Sequence, residues 1–196
     1  MLRGVDLSVY QQGVNYAALG GAVDFAYVKA CDWNGSAWVQ DAQLATHVAG
    51  LIEYAVPFGL YCFGHPSQDV SACISAFVGI WDGWDSTLRP CIDMETLSQG
   101  HIPGNAGQWA RAWLDAAPEG IVYASTSYYL AMLRQAPSLA GVPWWRAEYH
   151  QTCPASMPPG PAAVALQWTG TGRIAGITGD ADLDVVYADT LDALLT

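Results

Sequence analysis

Two acids, Asp93 and Glu95, stand two residues apart at the end of a short apolar run, Pro-Cys-Ile-Asp-Met-Glu over residues 90–95. Apolar runs of this length are typical of strands that are buried on both faces of a parallel sheet. In a strand, residues i and i+2 point to the same face about 6.6 Å apart, since each residue advances about 3.3 Å. We therefore expect both carboxyl groups to project into one pocket at the carboxyl end of this strand.

Two carboxyl groups in one pocket indicate a particular chemistry. Because like charges repel, one group keeps its proton to higher pH while the other is ionised. A general acid beside an ionised partner is what the cleavage of a glycosidic bond requires. The alternative is purely structural, because acids at this spacing also occur at helix N-caps and in solvated turns.

Further acids lie at the ends of other apolar runs. Asp6 ends the first run, Asp32 follows the second, and Asp182 opens the last. A single Asp in such a place is usually a turn former or a helix cap. In a (β/α) barrel, however, the carboxyl ends of the parallel strands all meet at one mouth. We therefore expect four acids to line one cleft at that mouth: Asp6, Asp93, Glu95 and Asp182.

The elements that would position these acids alternate along the chain. Helical patterns cover residues 39–55, 70–81 and 108–116. Strand-like runs cover residues 4–7, 25–30, 58–63, 89–94, 121–124, 144–149, 163–168 and 182–186. This alternation predicts βαβ units and an α/β fold, an irregular (β/α) barrel of about eight strands with few helices in its second half. No break in composition divides the chain, so we expect one catalytic barrel domain over residues 1–196.

Composition excludes several classes of function. The net charge of −11 argues against nucleic acid and against anionic membrane surfaces, and no apolar stretch is long enough to span a bilayer. The four His residues lie far apart, and the acids of residues 180–184 lack the Gly and Glu of a calcium loop. We expect no metal and no cofactor. The odd count of five cysteines without a CxxC pair predicts buried free thiols.

Short motifs follow one another along nearly the whole chain in a distinctive order. They are Gly-Val-Asp-Leu-Ser at 4–8, Tyr-Gln-Gln-Gly at 10–13, Phe-Ala-Tyr-Val-Lys-Ala at 25–30, Gly-Leu-Tyr-Cys-Phe at 59–63, Cys-Ile-Asp-Met-Glu at 91–95, Val-Tyr at 122–123, Trp-Arg-Ala-Glu-Tyr at 145–149, Gln-Trp-Thr at 167–169 and Gly-Ile-Thr-Gly at 176–179. Each motif alone is weak, but the ordered set resembles the glycoside hydrolase family 25 lysozymes, muramidases that are common in phage endolysins.

The resemblance implies a reaction and roles for the acids. Family members cleave the β-1,4 bond between N-acetylmuramic acid and N-acetylglucosamine in peptidoglycan, and we expect net retention. By position, Glu95 matches the general acid/base. Asp93 matches its partner, acting either as nucleophile or by orienting the substrate acetamide, while Asp6 and Asp182 match supporting acids. We further expect repulsion and partial burial to raise the pKa of Glu95 and to leave Asp93 ionised.

Residues near the predicted strand ends are candidates for binding sugar. Aromatic rings suit stacking on the apolar faces of pyranoses, and core packing is the alternative for each of them. The candidates are Tyr61, Tyr123, Trp145 and Tyr149, with Asp32 as a partial replacement for a family acid. Two stretches depart from the family pattern. Cys62 stands where the family usually has His, and Cys-Asp-Trp at 31–33 replaces Thr-Glu-Gly.

Partners and location follow from the same resemblance. The expected partner is the glycan strand of peptidoglycan, bound by a monomer that neither binds nucleic acid nor inserts into membranes. Because Met-Leu-Arg-Gly at 1–4 runs directly into a strand, we expect no signal peptide, synthesis in a phage-infected bacterial cytoplasm, and action on the cell wall after release or delivery. The alternative function is a non-catalytic glycan-binding or virion structural module. The four acids favour the enzyme over the binding module, since a protein that only binds glycan does not need two carboxyl groups that repel each other in its pocket.

Overall fold

The computed structural model describes residues 1–195. Its elements run in the order β1 (Leu2–Leu7), α1 (Tyr16–Gly20), β2 (Phe25–Trp33), β3 (Trp38–Gln40), α2 (Leu44–Glu53), β4 (Phe58–Phe63), α3 (Val70–Trp81), β5 (Cys91–Asp93), α4 (Ala106–Ala116), β6 (Ile121–Ser125), α5 (Thr126–Gln135), a 3-10 turn (Pro137–Leu139), β7 (Trp144–Ala147), β8 (Ala165–Gly172) and β9 (Ala181–Val186). None of the helices in this part of the chain has the length and apolarity needed to cross a membrane.

Eight of the nine strands close into a barrel. β1 pairs with both β2 and β9, and β3 lies outside the ring as an edge strand on β2. Neighbouring strands are parallel from β1 round to β8. The last strand, β9, runs antiparallel to both β8 and β1. This arrangement confirms the predicted irregular α/β barrel.

Side chains of each strand alternate between two packed layers. On β2, Phe25 and Tyr27 belong to a cluster that fills the barrel, whereas Ala26 and Val28 belong to the larger cluster beneath the helices. This alternation follows from the two-residue period of a strand. Because both faces are covered, the strands read as continuous apolar runs, which explains why the sequence revealed them.

Several elements differ from the prediction, and the clearest cases are a helix start, a missed helix and a strand end. The helix predicted from residue 39 begins at Leu44, because Trp38–Gln40 pairs with β2 as a short hairpin strand. The helix α5 was not predicted; Ser125 caps it by accepting a hydrogen bond from the Tyr128 amide at 3.3 Å. The strand β7 ends at Ala147 rather than at residue 149.

The connection between β7 and β8 contains no helix. A buried arginine of β7, Arg146, holds this loop to the barrel instead. Its guanidinium donates to the carbonyl oxygens of Pro158 at 2.9 Å and Pro159 at 3.2 Å, and it pairs with Glu148. The loop is therefore held on the outer face of β7, where a helix would lie in a regular βαβ unit.

Candidate active site

A cleft of about 620 Å³, including its open mouth, lies at the carboxyl ends of the parallel strands. Its lining includes the four predicted acids, Asp6, Asp93, Glu95 and Asp182, and the four predicted aromatic residues, Tyr61, Tyr123, Trp145 and Tyr149. The residues that sequence reasoning brought to one mouth therefore do surround a single cavity. Their roles in binding and catalysis stay predictions.

Strand direction explains how Asp182 reaches this mouth. It is the second residue of β9, and because β9 is antiparallel, its amino end lies at the carboxyl ends of the other strands. Asp182 pairs in register with Asp6 of β1. The two side chains therefore face each other across neighbouring strands, held by the sheet on the same side of the cleft.

The other pair of acids is held less tightly. Asp93 is the last residue of β5 and is 7% exposed, and its Oδ1 atom has no hydrogen-bond partner among the described residues. The predicted strand continued to Met94, but the ladder stops at Asp93, and Glu95 lies beyond it, exposed at the rim. The floor of the cleft thus carries one carboxyl group and its rim the other.

Burial dominates the pKa values of this pair. Desolvation, followed by the charge of Glu95, raises the pKa of Asp93 well above its usual value, although the charge of Lys29 opposes this shift. Desolvation also raises the pKa of Glu95, again opposed by Lys29. The predicted rise in the pKa of Glu95 is therefore present, and the pKa of Asp93 is raised as well, which was not predicted. The reason is depth, because the strand places Asp93 on a dry floor and leaves Glu95 at the rim.

A buried glutamine that sequence reasoning missed holds the opposite side of the cleft. Gln167 of β8 donates from Nε2 to Oδ2 of Asp6 at 2.8 Å and accepts at Oε1 from the Tyr123 hydroxyl at 2.8 Å. Burial and the charge of Asp182 raise the pKa of Asp6 well above its usual value, and the Gln167 bond opposes the shift. Burial and the charge of Glu95 raise the pKa of Asp182 to about 6.

Comparison with known proteins places the chain in a family. The family described as Glycosyl hydrolases family 25 matches residues 5–177. The chain belongs to glycosyl hydrolase family 25. This confirms the membership that the order of motifs predicted. Three acids of the cleft, Asp6, Asp93 and Glu95, come from those motifs and lie within the matched residues, whereas Asp182 lies just after them.

Individual relatives agree with this assignment. The chain is 25% identical to Lysozyme M1 of Streptomyces globisporus over an alignment of 198 positions, which covers 92% of this chain and 66% of the relative. It is 26% identical to an autolytic lysozyme of Clostridium acetobutylicum, with 93% of this chain and 55% of that protein covered. The chain thus spans roughly half to two thirds of the length of these curated relatives.

A solved structure shows the same fold. The catalytic domain of endolysin ply40, from bacteriophage P40 of Listeria monocytogenes, superposes with a TM-score of 0.79 at 23% sequence identity. The match covers 98% of this chain and 96% of that domain. The barrel described here is therefore shared, at low identity, with a domain of a phage lytic protein.

The aromatic lining of this family 25 cleft divides into buried and exposed rings. Trp145 is 2% exposed and packs between Tyr27 and Tyr123, with ring centroids 4.9 and 5.0 Å away. Tyr149, by contrast, is 64% exposed. A second exposed ring that was not predicted, Tyr10, is 83% exposed and also lines the cleft. The buried rings form the floor, and the two exposed tyrosines stand at the mouth.

A further acid, Asp184, lies beneath the floor and was also missed. It is 2% exposed; its Oδ1 atom accepts from the Trp145 indole at 3.1 Å, and Oδ2 has no partner among the described residues. Burial, then the charges of Asp6 and Asp182, raise its pKa well above the usual value. Asp184 therefore supports the Trp145 ring from below. Its position two residues after Asp182, on the same face of β9, was the clue in the sequence.

The predicted sugar ligand Asp32 does not line the cleft. One carboxylate oxygen accepts from Lys29 Nζ at 2.5 Å, and the other lies 2.8 Å from His65 Nε2 and accepts from the Trp33 amide at 2.7 Å. Burial raises the pKa of Asp32, but the bonds from His65 and Lys29 outweigh burial and lower it. Lys29, in contrast, does line the cleft.

The cysteines that depart from the family pattern lie behind the cleft wall. Cys31 and Cys62 pair in register on β2 and β4, with their Sγ atoms 3.3 Å apart, and Cys73 of α3 is 3.3 Å from Cys62. All three are buried free thiols, as predicted. Within residues 1–195, no three His, Cys, Asp or Glu side chains are arranged to hold a metal ion.

Proposed function

We propose that this family 25 domain is a muramidase that hydrolyses the β-1,4 bond between N-acetylmuramic acid and N-acetylglucosamine in peptidoglycan, with net retention. The observation that carries the proposal is the convergence of Asp93, Glu95, Asp6 and Asp182 on one cleft. The two curated relatives bear the name lysozyme, which supports the same reaction.

Glu95 has the position and protonation required of the general acid. It stands at the rim, where a glycosidic oxygen can approach, and its raised pKa keeps part of the population protonated at mildly acidic pH. Protonation of the leaving oxygen by Glu95 opens the glycosidic bond. The resulting carboxylate then removes a proton from the water that attacks in the second step.

Asp93 assists from the floor of the cleft. Retention arises either when Asp93 attacks the anomeric carbon or when the acetamide oxygen of the substrate attacks it. Its burial and raised pKa make Asp93 a poor free anion, which favours a role in orienting the acetamide. Asp6 and Asp182 face the developing oxocarbenium ion from the opposite side and supply negative charge there to the extent that they are ionised. Gln167 fixes the Asp6 carboxyl group, and its hydrogen bond favours the ionised form.

Digestion of purified peptidoglycan tests the reaction. After digestion, borohydride reduction labels each new reducing end, and a muramidase yields reduced muramic acid. Glu95→Gln should yield none, whereas Glu53→Gln, an exposed acid on α2, should match the unmodified protein. Reduced glucosamine would contradict the proposed bond. Binding of peptidoglycan without any release would support the non-catalytic module instead.

The stereochemical course needs a separate measurement. Proton NMR of a chitooligosaccharide or muropeptide digest during the first minutes shows which anomer forms first. We expect the β anomer, as net retention requires. Early appearance of the α anomer would indicate inversion and would remove Asp93 from both retaining routes.

The oligomeric state and the cellular location are proposed from the same family resemblance. We infer that the domain acts as a monomer and reaches the cell wall after release or delivery from the cytoplasm in which it is made. Light scattering during gel filtration would show a larger mass if a dimer is the working form.

A further inference from the structure

We propose that Lys29 sets the charge balance of the acid cleft, and that Asp32, anchored by His65, holds the Lys29 ammonium group in place. Lys29 and its two partners would then be positioning residues, since they act through the carboxyl groups of the cleft. The inference rests on the proposed function for the reaction itself. It rests on contacts within the chain for the way in which Lys29 is held.

Lys29 is the one cationic side chain in the lining of the cleft. It is also the only Lys in the sequence and is 8% exposed. Its ammonium group lies 4.6 Å from the centre of the Phe63 ring, which covers it from one side. A buried ammonium group is costly unless it has a counter-charge, and four carboxyl groups of the cleft compete with Asp32 for that part.

Asp32 is the counter-ion of Lys29 because both of its carboxylate oxygens are already fixed. Oδ2 lies 2.5 Å from Lys29 Nζ, and Oδ1 is held by His65 at 2.8 Å and by the Trp33 amide at 2.7 Å. The carboxylate therefore cannot turn away from Lys29 without breaking two further contacts. This anchoring holds the ammonium group at the edge of the cleft.

Asp93 offers the obvious alternative partner. Its Oδ1 atom is buried and has no hydrogen bond among the described residues. The Lys29 side chain has four flexible carbons, so loss of the Asp32 charge would allow its ammonium group to move toward this oxygen. Asp32 and His65 thus keep Asp93 free of a salt bridge that would hold it as an anion.

The groups that face Lys29 come from several elements. They are Asp6 of β1, Asp32 of β2, Tyr61 of β4, His65 after β4, Asp93 of β5 and Glu95 after β5. The positive charge of Lys29 already opposes the upward pKa shifts of Asp6, Asp93 and Glu95. A closer ammonium group would lower the pKa values of Asp93 and Glu95 further, and removal of the charge would raise them.

The substitution Asp32→Asn tests whether Asp32 holds the Lys29 ammonium group, because it removes the carboxylate charge but keeps the shape of the side chain. We expect the basic limb of the activity profile to move to lower pH by about one unit, since Glu95 would lose its proton earlier. We expect kcat to fall more than KM rises. A raised KM with an unmoved limb would overturn the proposal and assign Asp32 to direct contact with sugar.

Two further variants fix the sign of the effect. Lys29→Gln removes the ammonium group itself, so the basic limb should move upward, opposite to its movement in Asp32→Asn. His65→Gln keeps a donor for Asp32, and its limb should lie between the unmodified protein and Asp32→Asn. Asp115→Asn, which breaks an exposed ion pair with Arg111, should leave the limb unmoved. If the basic limb moved in the same direction in Lys29→Gln and in Asp32→Asn, the proposal that Asp32 holds the Lys29 ammonium group would be overturned.

A titration without substrate separates this proposal from the proposed function. Carbon-13 NMR of the carboxyl groups reports Asp93 and Glu95 directly, whether or not the protein cleaves peptidoglycan. Both midpoints should rise in Lys29→Gln and fall in Asp32→Asn. Because the charge of Asp32 itself raises the pKa of Asp93, the Glu95 midpoint is the one that reports movement of the Lys29 ammonium group. If the unmodified protein releases no reducing ends, the function fails, and these midpoints still decide the role of Lys29. Unchanged midpoints in both folded variants would refute that role.

Discussion

The two sides of the acid cleft are built differently. On one side, Asp6 and Asp182 lie within neighbouring strands in register, and Gln167 binds the Asp6 carboxylate. On the other side, Asp93 ends its strand with one oxygen unpaired, and Glu95 lies beyond the ladder at the rim. Buried polar groups are normally hydrogen-bonded, so the oxygen of Asp93 without a partner among the described residues is an exception, and it is the one that lies in the cleft.

This difference separates carboxyl groups that the sheet holds in one position from carboxyl groups that are free to bind the substrate. A carboxyl group that is held by a strand and a hydrogen bond keeps its place and supplies an electrostatic field. A carboxyl group with a free oxygen can bind the substrate or take up a proton without first breaking a bond within the protein. We therefore expect substitutions on the β5 side to abolish the reaction and substitutions on the β1–β9 side to weaken it.

The largest effect should come from Glu95→Gln. An amide cannot donate a proton to the leaving oxygen, and general acid catalysis contributes about 10²–10⁴-fold to the rate. The measurement is kcat on purified peptidoglycan, with the melting temperature as a check on folding. Since Glu95 is exposed, the melting temperature should stay close to that of the unmodified protein. An undiminished kcat on peptidoglycan would falsify the assignment of Glu95 as the general acid.

Asp93→Asn should separate activity from stability. We expect a loss of activity of about 10²-fold, because the group that orients the substrate acetamide for attack on the anomeric carbon is changed. The folded pKa of Asp93 is raised, so ionisation opposes folding as pH rises above the unfolded pKa of about 3.9. The variant should therefore melt higher than the unmodified protein at neutral pH, and the difference should vanish near pH 3. A variant that melts lower at neutral pH would show that Asp93 is ionised and stabilising there.

Gln167→Leu tests the side of the cleft that is formed by β1 and β9. The change leaves a buried oxygen of Asp6 without its donor, which costs about 1–3 kcal/mol of unfolding free energy. We expect activity to fall about tenfold, less than for either substitution on the β5 side. Tyr123→Phe removes only the hydroxyl that donates to Gln167 and should cost less in both measurements. If Gln167→Leu were as inactive as Glu95→Gln, the distinction between the two sides would fail.

Much of the fold could be predicted from the sequence, because buried strands and amphipathic helices have characteristic patterns of apolar residues. The predicted ranges 58–63 and 70–81 coincide with β4 and α3. The direction of β9 was not readable, because the prediction ended β8 at residue 168, four residues before its actual end. Only residues 173–180 separate β8 from β9, and a parallel crossover needs about a dozen or more. A correct end for β8 would have revealed the antiparallel turn.

The candidate site was predictable to a similar degree. Asp6 and Asp93 stand at the carboxyl ends of parallel strands and Glu95 lies just beyond one, so the rule that places these ends at one mouth was enough to group the three. Asp182 opens β9 and reaches the same mouth only because that strand is antiparallel, which was not predicted. The relative depth of Asp93 and Glu95 was not predictable, because it depends on whether β5 continues to residue 94 or stops at Asp93. Gln167 escaped notice because a single Gln within a strand has no pattern of its own. Its meaning comes only from contacts with Asp6 and Tyr123, which are distant in sequence.

The smallest expected effect concerns the exposed rings at the mouth. Tyr149 is 64% exposed, so Tyr149→Ala should raise KM about threefold and leave the melting temperature unchanged, as loss of one stacked ring predicts. Trp145 makes the matched comparison, since it lines the same cleft but is 2% exposed. Trp145→Ala removes a buried ring and should cost about 3–5 kcal/mol of unfolding free energy. Thermal melts together with KM on peptidoglycan distinguish the two positions. Equal losses of stability at both would mean that Tyr149 is part of the packed wall and that the mouth binds sugar without it.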